Sequence, residues 1–87
     1  MASRPKPMEV LTDMSVVRVR FAGVLVRYGR LQGWLPISQI RVPGARTDVE
    51  KKARLVWARD HGDPIDVELP RWLMGRVDWQ QVRLRRP

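Results

Sequence analysis

The 87-residue sequence predicts a mostly β (α+β) domain: a small, strongly bent antiparallel sheet with one or two short helices. Three observations carry this. Apolar residues alternate with polar ones over short runs, single glycines break those runs, and prolines stop them. An SH3-like barrel is the preferred version, because closing a short sheet on itself removes edges that invite aggregation; an open α+β sheet stands behind it.

Residues 1–7, with Pro5 and Pro7, read as a flexible leader, residues 8–82 as one small β-rich domain, and residues 83–87 as a basic tail. From Ser15 the pattern is strand-like: Val17, Val19 and Phe21 alternate with Arg18 and Arg20, which predicts apolar side chains on one face and guanidiniums on the other. Val24–Tyr28 is a second strand, and Gly23 marks a bend between the two. Gly29–Gly33 reads as a turn leading into a short third strand at Trp34-Leu35, which Pro36 ends because it has no N–H to donate. Pro36–Ile40 is one helical turn, and Val42-Pro43-Gly44 a loop.

Residues 47–60 admit two readings. Thr47 with Glu50 three residues later is a capping box, Val49, Ala53, Val56 and Trp57 recur at helical spacing, and Gly62 supplies the stop. This favours a helix, with Leu55 off its apolar face. The competing reading is a strand Arg54–Arg59 turning at Asp60–Asp63. Beyond it, Ile65, Val67 and Leu69 alternate with Asp66 and Glu68 as a strand with an acidic outer face. Pro70 opens a short helix carrying Trp72 and Leu73, which Gly75 stops, and Val77, Trp79, Val82 and Leu84 suggest one last short element.

A chain of this size buries only about 60–65% of the surface its unfolded form exposes, so the core must be economical. It has no cysteine, which removes disulfides and thiolate metal sites and fits a reducing compartment. Residues 1–7 lead into no apolar signal region, and no run approaches the roughly 18–20 apolar residues that span a bilayer. The expectation is a soluble, cytoplasmic protein with no membrane partner.

Charge is the strongest signal. Lys and Arg number 17 against 9 Asp and Glu, a net charge of +8, and the positions are segregated. Between Met14 and Thr47 there is no acid, whereas Arg18, Arg20, Arg27, Arg30, Arg41 and Arg46 all fall there. From Asp48 to Pro70 acids outnumber bases, and from Arg71 onward arginines again dominate. Segregation of this kind predicts a patch, and a basic patch predicts a polyanionic partner.

Val24–Gly29, then Trp34-Leu35-Pro36-Ile37-Ser38-Gln39-Ile40, then Pro70-Arg71-Trp72-Leu73, resembles a group of small uncharacterised bacterial, phage and plasmid proteins. Their pattern is an apolar strand, a glycine turn, Trp-Leu-Pro-x-Ser-Gln-Ile and a later Pro-x-Trp-Leu. The likeness covers residues 22–40 and 65–74, and the first motif is the more specific. This chain departs in its long intervening segment and in Gly75–Trp79, which replaces a lysine-rich ending. The resemblance implies a compact, mostly β unit from a bacterial or mobile-element setting and carries over no function.

Catalysis is not expected. His61 is the single histidine, set in an Asp- and Gly-rich turn, too few ligands for a metal, and neither Ser15 nor Ser38 has a partner histidine at a recognisable spacing. The glycines are scattered singly, so no phosphate loop is present. No catalytic residue, metal or cofactor is assigned. The expected site is Arg18, Arg20, Arg27 and Arg30 on the sheet, with Arg83, Arg85 and Arg86 from the tail, contacting backbone phosphate of RNA or DNA, or of a nucleoprotein complex. Tyr28, between Arg27 and Arg30, is the stacking candidate; Trp34 and Trp72 read as core, and Trp79 as exposed. The alternative is a mobile-element-encoded, anti-CRISPR-like protein that binds host nucleic-acid machinery, its acidic stretch Asp60–Glu68 facing a basic partner. Either reading accommodates a monomer or a homodimer.

Overall fold

The computed structural model describes residues 8–82. In chain order it contains strand Met8–Val19 (β1), Gly23–Tyr28 (β2), Leu31–Pro36 (β3), a 3-10 turn Ile37–Gln39, helix Asp48–His61 (α1), strand Ile65–Pro70 (β4), the one-turn helix Arg71–Met74 (α2) and the two-residue strand Gln80–Gln81 (β5). The strands form one antiparallel sheet in the order β4-β1-β2-β3-β5.

β1 is long enough to serve two neighbours. Its first half pairs with β4 from Met8↔Pro70 to Met14↔Ile65, and its second half with β2 from Ser15↔Arg27 to Val19↔Val24. Each ladder contains a register break, between Leu11 and Met14 and between Val16 and Arg18. An extra residue on one strand bends it and tightens its twist, so the two breaks curve the sheet. Asp13, at the first break, takes φ 56°, and its N–H donates to Asp66 Oδ1 at 3.1 Å, which ties the bend to β4.

The sheet stays open. β4 and β5 stand at its two ends, and pairing beyond β4 amounts to the single bridge Arg41↔Glu68. The described residues therefore form the bent, mostly β sheet with helices, without closure into a barrel.

One face of the sheet carries the core. Leu11 and Met14 of β1, Val24 and Val26 of β2, Leu35 of β3 and Val67 and Leu69 of β4 are buried there, covered by Ile37, Ile40 and Val42 of the β3–α1 connection, Leu55 of α1 and Leu73 of α2. Gly33 lets the chain after α2 lie across β3: a Cβ would stand 2.7 Å from Val77 Cγ1 and 2.9 Å from Trp79 Cε3. Trp79 is consequently half-buried against the core, its Nε1 donating to the Met74 carbonyl at 3.3 Å, and not exposed as read from its place near the tail.

Several boundaries differ from the sequence reading for physical reasons. β1 begins at Met8, seven residues before Ser15, because the break at Asp13 spaces the buried Leu11 and Met14 three apart and hides the period of two. The second break turns Val16 toward the core and leaves Val17 exposed, while Phe21 lies beyond the strand end. The β2–β3 turn is only Gly29-Arg30, with Tyr28 paired to Leu31, so Leu31–Gly33 belong to β3.

The helix at residues 47–60 forms as the capping box predicts. Thr47 Oγ1 accepts from the Glu50 N–H at 3.1 Å, Glu50 Oε2 accepts from the Arg46 N–H at 3.1 Å, and Gly62 ends the helix at φ 66°. Its packed face is the reverse of the expected one. Leu55 is 0% exposed and Ala58 is buried, whereas Val49 is 79% and Trp57 54% exposed. The stem of Lys51 flanks Leu55 on the packed side, and its Nζ reaches the Ile37 carbonyl at 3.4 Å and Asp48 at 3.2 Å. Long amphipathic stems can cover apolar surface while their charges escape, which a count of apolar residues overlooks. Thr47→Ala is expected to lower the unfolding free energy by about 1 kcal/mol, read from a urea transition, since it removes the cap.

Candidate functional site

The outer sheet face is built from residues that alternate with the core. Opposed residues in an antiparallel pair share a face, so Arg18, Leu25 and Trp34 form one row across β1, β2 and β3, and Ser15, Arg27 and Gln32 form the next. Arg20, just past β1, is held by its N–H donating to the Gly23 carbonyl at 2.8 Å, and its guanidinium carbon lies 5.1 Å from the Trp34 ring centroid. Arg27 Nη2 donates to Gln32 Oε1 at 3.4 Å. Arg30 sits at the exposed hairpin tip next to the Arg27 row. From Arg20 to Arg30 the cations follow the length of β2, a path of roughly 20 Å at the usual rise per strand residue.

The electrostatics of this face follow from its composition. Ion pairs among the described residues are Lys51–Asp48, Arg59–Asp60 and Arg71–Glu9, none of which involves Arg18, Arg20, Arg27 or Arg30. At the β3 edge a groove runs between Trp34, Gln32 and Pro36 on one side and Arg76, Val77 and Asp78 on the other. Asp78 is the one acid among the residues lining this groove, and its Oδ2 accepts from Gln80 Nε2 at 2.9 Å.

The sequence-predicted residues divide into three groups. Arg18, Arg20 and Arg27 come together on one face, with Arg30 at its end. Tyr28 does not join them: it pairs with Leu31 on the opposite face and packs, half-buried, against the core, because its position in β2 is one step out of phase with Arg27. Arg83, Arg85 and Arg86 lie outside the described residues. The aromatic on the basic face is Trp34, 41% exposed, and Trp72 is likewise exposed; both had read as core. The β2–β3 register carried the missed signal, since a two-residue turn at Gly29-Arg30 places Trp34 opposite Leu25 and two positions from Arg27. Arg76 at the groove rim was also missed.

His61 occupies the last turn of α1, its Nδ1 2.8 Å from the Trp57 carbonyl, and among the described residues no group of three His, Asp or Glu side chains is placed to hold a metal ion. No helix among them is long and apolar enough to cross a membrane. Compared with protein-family models, with curated proteins and with solved structures, the chain matches none.

Proposed function

We propose that this protein is a non-enzymatic nucleic-acid-binding module whose outer sheet face contacts the phosphate backbone through Arg18, Arg20, Arg27 and Arg30 while Trp34 stacks a base. One observation carries the reading: three guanidiniums without a carboxylate partner among the described residues flank an exposed tryptophan on one face. Arginine suits the task because its planar fork donates two parallel hydrogen bonds to phosphate and is weakly hydrated. A base needs a free π-face to stack on Trp34, and single strands offer one where a duplex does not. The cysteine-free chain and the mobile-element resemblance fit action in the cytoplasm of a bacterial host.

The test is a titration of fluorescently labelled single- and double-stranded RNA and DNA across salt concentrations. The expected result is tighter binding of single strands, with log K falling linearly in log salt at a slope of about −2 to −3 for three or four phosphates. Absence of binding at low ionic strength would sink the proposal. A second reading, a protein-binding inhibitor of host nucleic-acid machinery, draws on the exposed Phe21, Val49 and Trp57. The acidic stretch offers it less, because Asp60 pairs with Arg59, Asp66 accepts from Asp13, and Glu68 lies half-buried on β4.

A further inference from the structure

Helix α1 turns an apolar stripe away from the core. Val49, Ala53 and Trp57 succeed one another every four residues along one ridge, which ends at His61, its ring stacked on Trp57 at 3.9 Å between centroids and 15° between planes. Lys52, Val56 and Asp60 form the neighbouring ridge. Phe21, 92% exposed, closes the N-terminal end of the stripe, with Lys52 Nζ 5.2 Å from its ring centroid. Contiguous apolar surface of this sort on a small protein marks a contact site.

We propose that its occupant is a second copy of this chain, packed antiparallel through α1 about a twofold axis near Val56. The charge pattern of the stripe selects this partner. The ridge Lys52–Val56–Asp60 is positive at one end, apolar in the middle and negative at the other, the half-exposed Asp60 carboxylate also holding Arg59 Nε at 3.0 Å through Oδ1. Such a ridge is the complement of its own reversed copy: a twofold at Val56 sets Lys52 beside the partner's Asp60, twice over, whereas a parallel copy would set like against like. Antiparallel helices also oppose their dipoles.

The stripe is only about three turns long, so the dimer is expected to be reversible, with a Kd of roughly 10–100 µM, as befits a small interface. It is independent of the nucleic-acid reading. α1 packs on the core side of the sheet and Arg18, Arg27 and Trp34 lie on the other side, so both surfaces remain accessible together.

The experiment is sedimentation equilibrium of the nuclease-treated full chain at low salt, from about 5 to about 500 µM, a range that brackets a weak interface. A monomer–dimer equilibrium is expected, and Trp57→Glu should weaken it by about 30-fold or more, as removal of a central aromatic does. Lys52→Glu and Asp60→Lys should each weaken it by about 10-fold, and the two together should restore it to within about 3-fold of the parent, because the exchanged charges again meet across the axis. Circular dichroism checks that each variant keeps its helix. A monomer at every concentration overturns the proposal, as does self-association indifferent to Trp57→Glu, or a charge-exchanged double variant no better than its single parents.

Discussion

Leu55→Ala is expected to lower the unfolding free energy by about 3 kcal/mol, whereas Val49→Ala should change it by less than about 0.5 kcal/mol. Leu55 is fully enclosed, in one cluster with Met14, Leu35, Ile40 and Val67 among others, so truncation removes buried methyls and leaves a cavity that a bent sheet and a single covering helix can only partly close. Val49 makes no comparable contact, and alanine is the better helix former at its exposed site. In a domain of this size about 3 kcal/mol is a large share of the whole stability, so the denaturant midpoint of Leu55→Ala should fall steeply while that of Val49→Ala stays close to the parent's. A larger loss for Val49→Ala than for Leu55→Ala would mean that α1 packs through the opposite face from the one described.

That contrast marks where sequence reasoning succeeded and where it failed. The existence and ends of α1 were legible because they depend on local chemistry: the Thr47 hydroxyl, the Glu50 carboxylate and the left-handed Gly62 each act within one turn. Its orientation was not legible, because two stripes compete for the sheet. Val49, Ala53, Val56 and Trp57 make the more apolar stripe by composition, but Leu55 and Ala58, flanked by the stem of Lys51, fit against β1 and the 3-10 turn. The same distinction holds in the sheet. Alternation in β4 placed its faces correctly, whereas two register breaks in β1 moved Val17 outward and concealed the strand from Met8 to Met14.

For the candidate site, the arginine pattern was readable since it needs only period-two geometry around Val19 and Val26 and the lack of acids from Met14 to Thr47. The aromatic was not, because choosing between Tyr28 and Trp34 requires the hairpin register. Adjacency to Arg27 in sequence places Tyr28 on the wrong face, and only the two-residue turn reveals that Trp34 shares a row with Arg18. Short-range neighbourhood and spatial neighbourhood are opposed on a strand, where consecutive side chains point apart.

Replacing Arg18, Arg20 and Arg27 together by glutamine is expected to weaken single-strand binding by about 100-fold at low salt and to reduce the salt slope by about 2, the value for three lost phosphate contacts on a single strand. Thermal stability should hold, because no carboxylate among the described residues loses its partner and the Arg27–Gln32 hydrogen bond is exposed. The informative control is a second triple, Arg41, Arg46 and Arg59 to glutamine, which removes the same charge from elsewhere in the chain. If binding followed net charge, the two triples would lose affinity equally; if it follows the patch, the control should lose about 10-fold or less, the share due to long-range attraction. Trp34→Ala separates the remaining term. Loss of a stacking platform costs about 1–3 kcal/mol per base and releases no counterion, so its affinity should fall while its salt slope stays at the parent value. Equal losses from both arginine triples would reduce this face to one more part of a generally basic surface, and a Trp34→Ala variant with unchanged affinity would remove the base from the contact and leave phosphate alone.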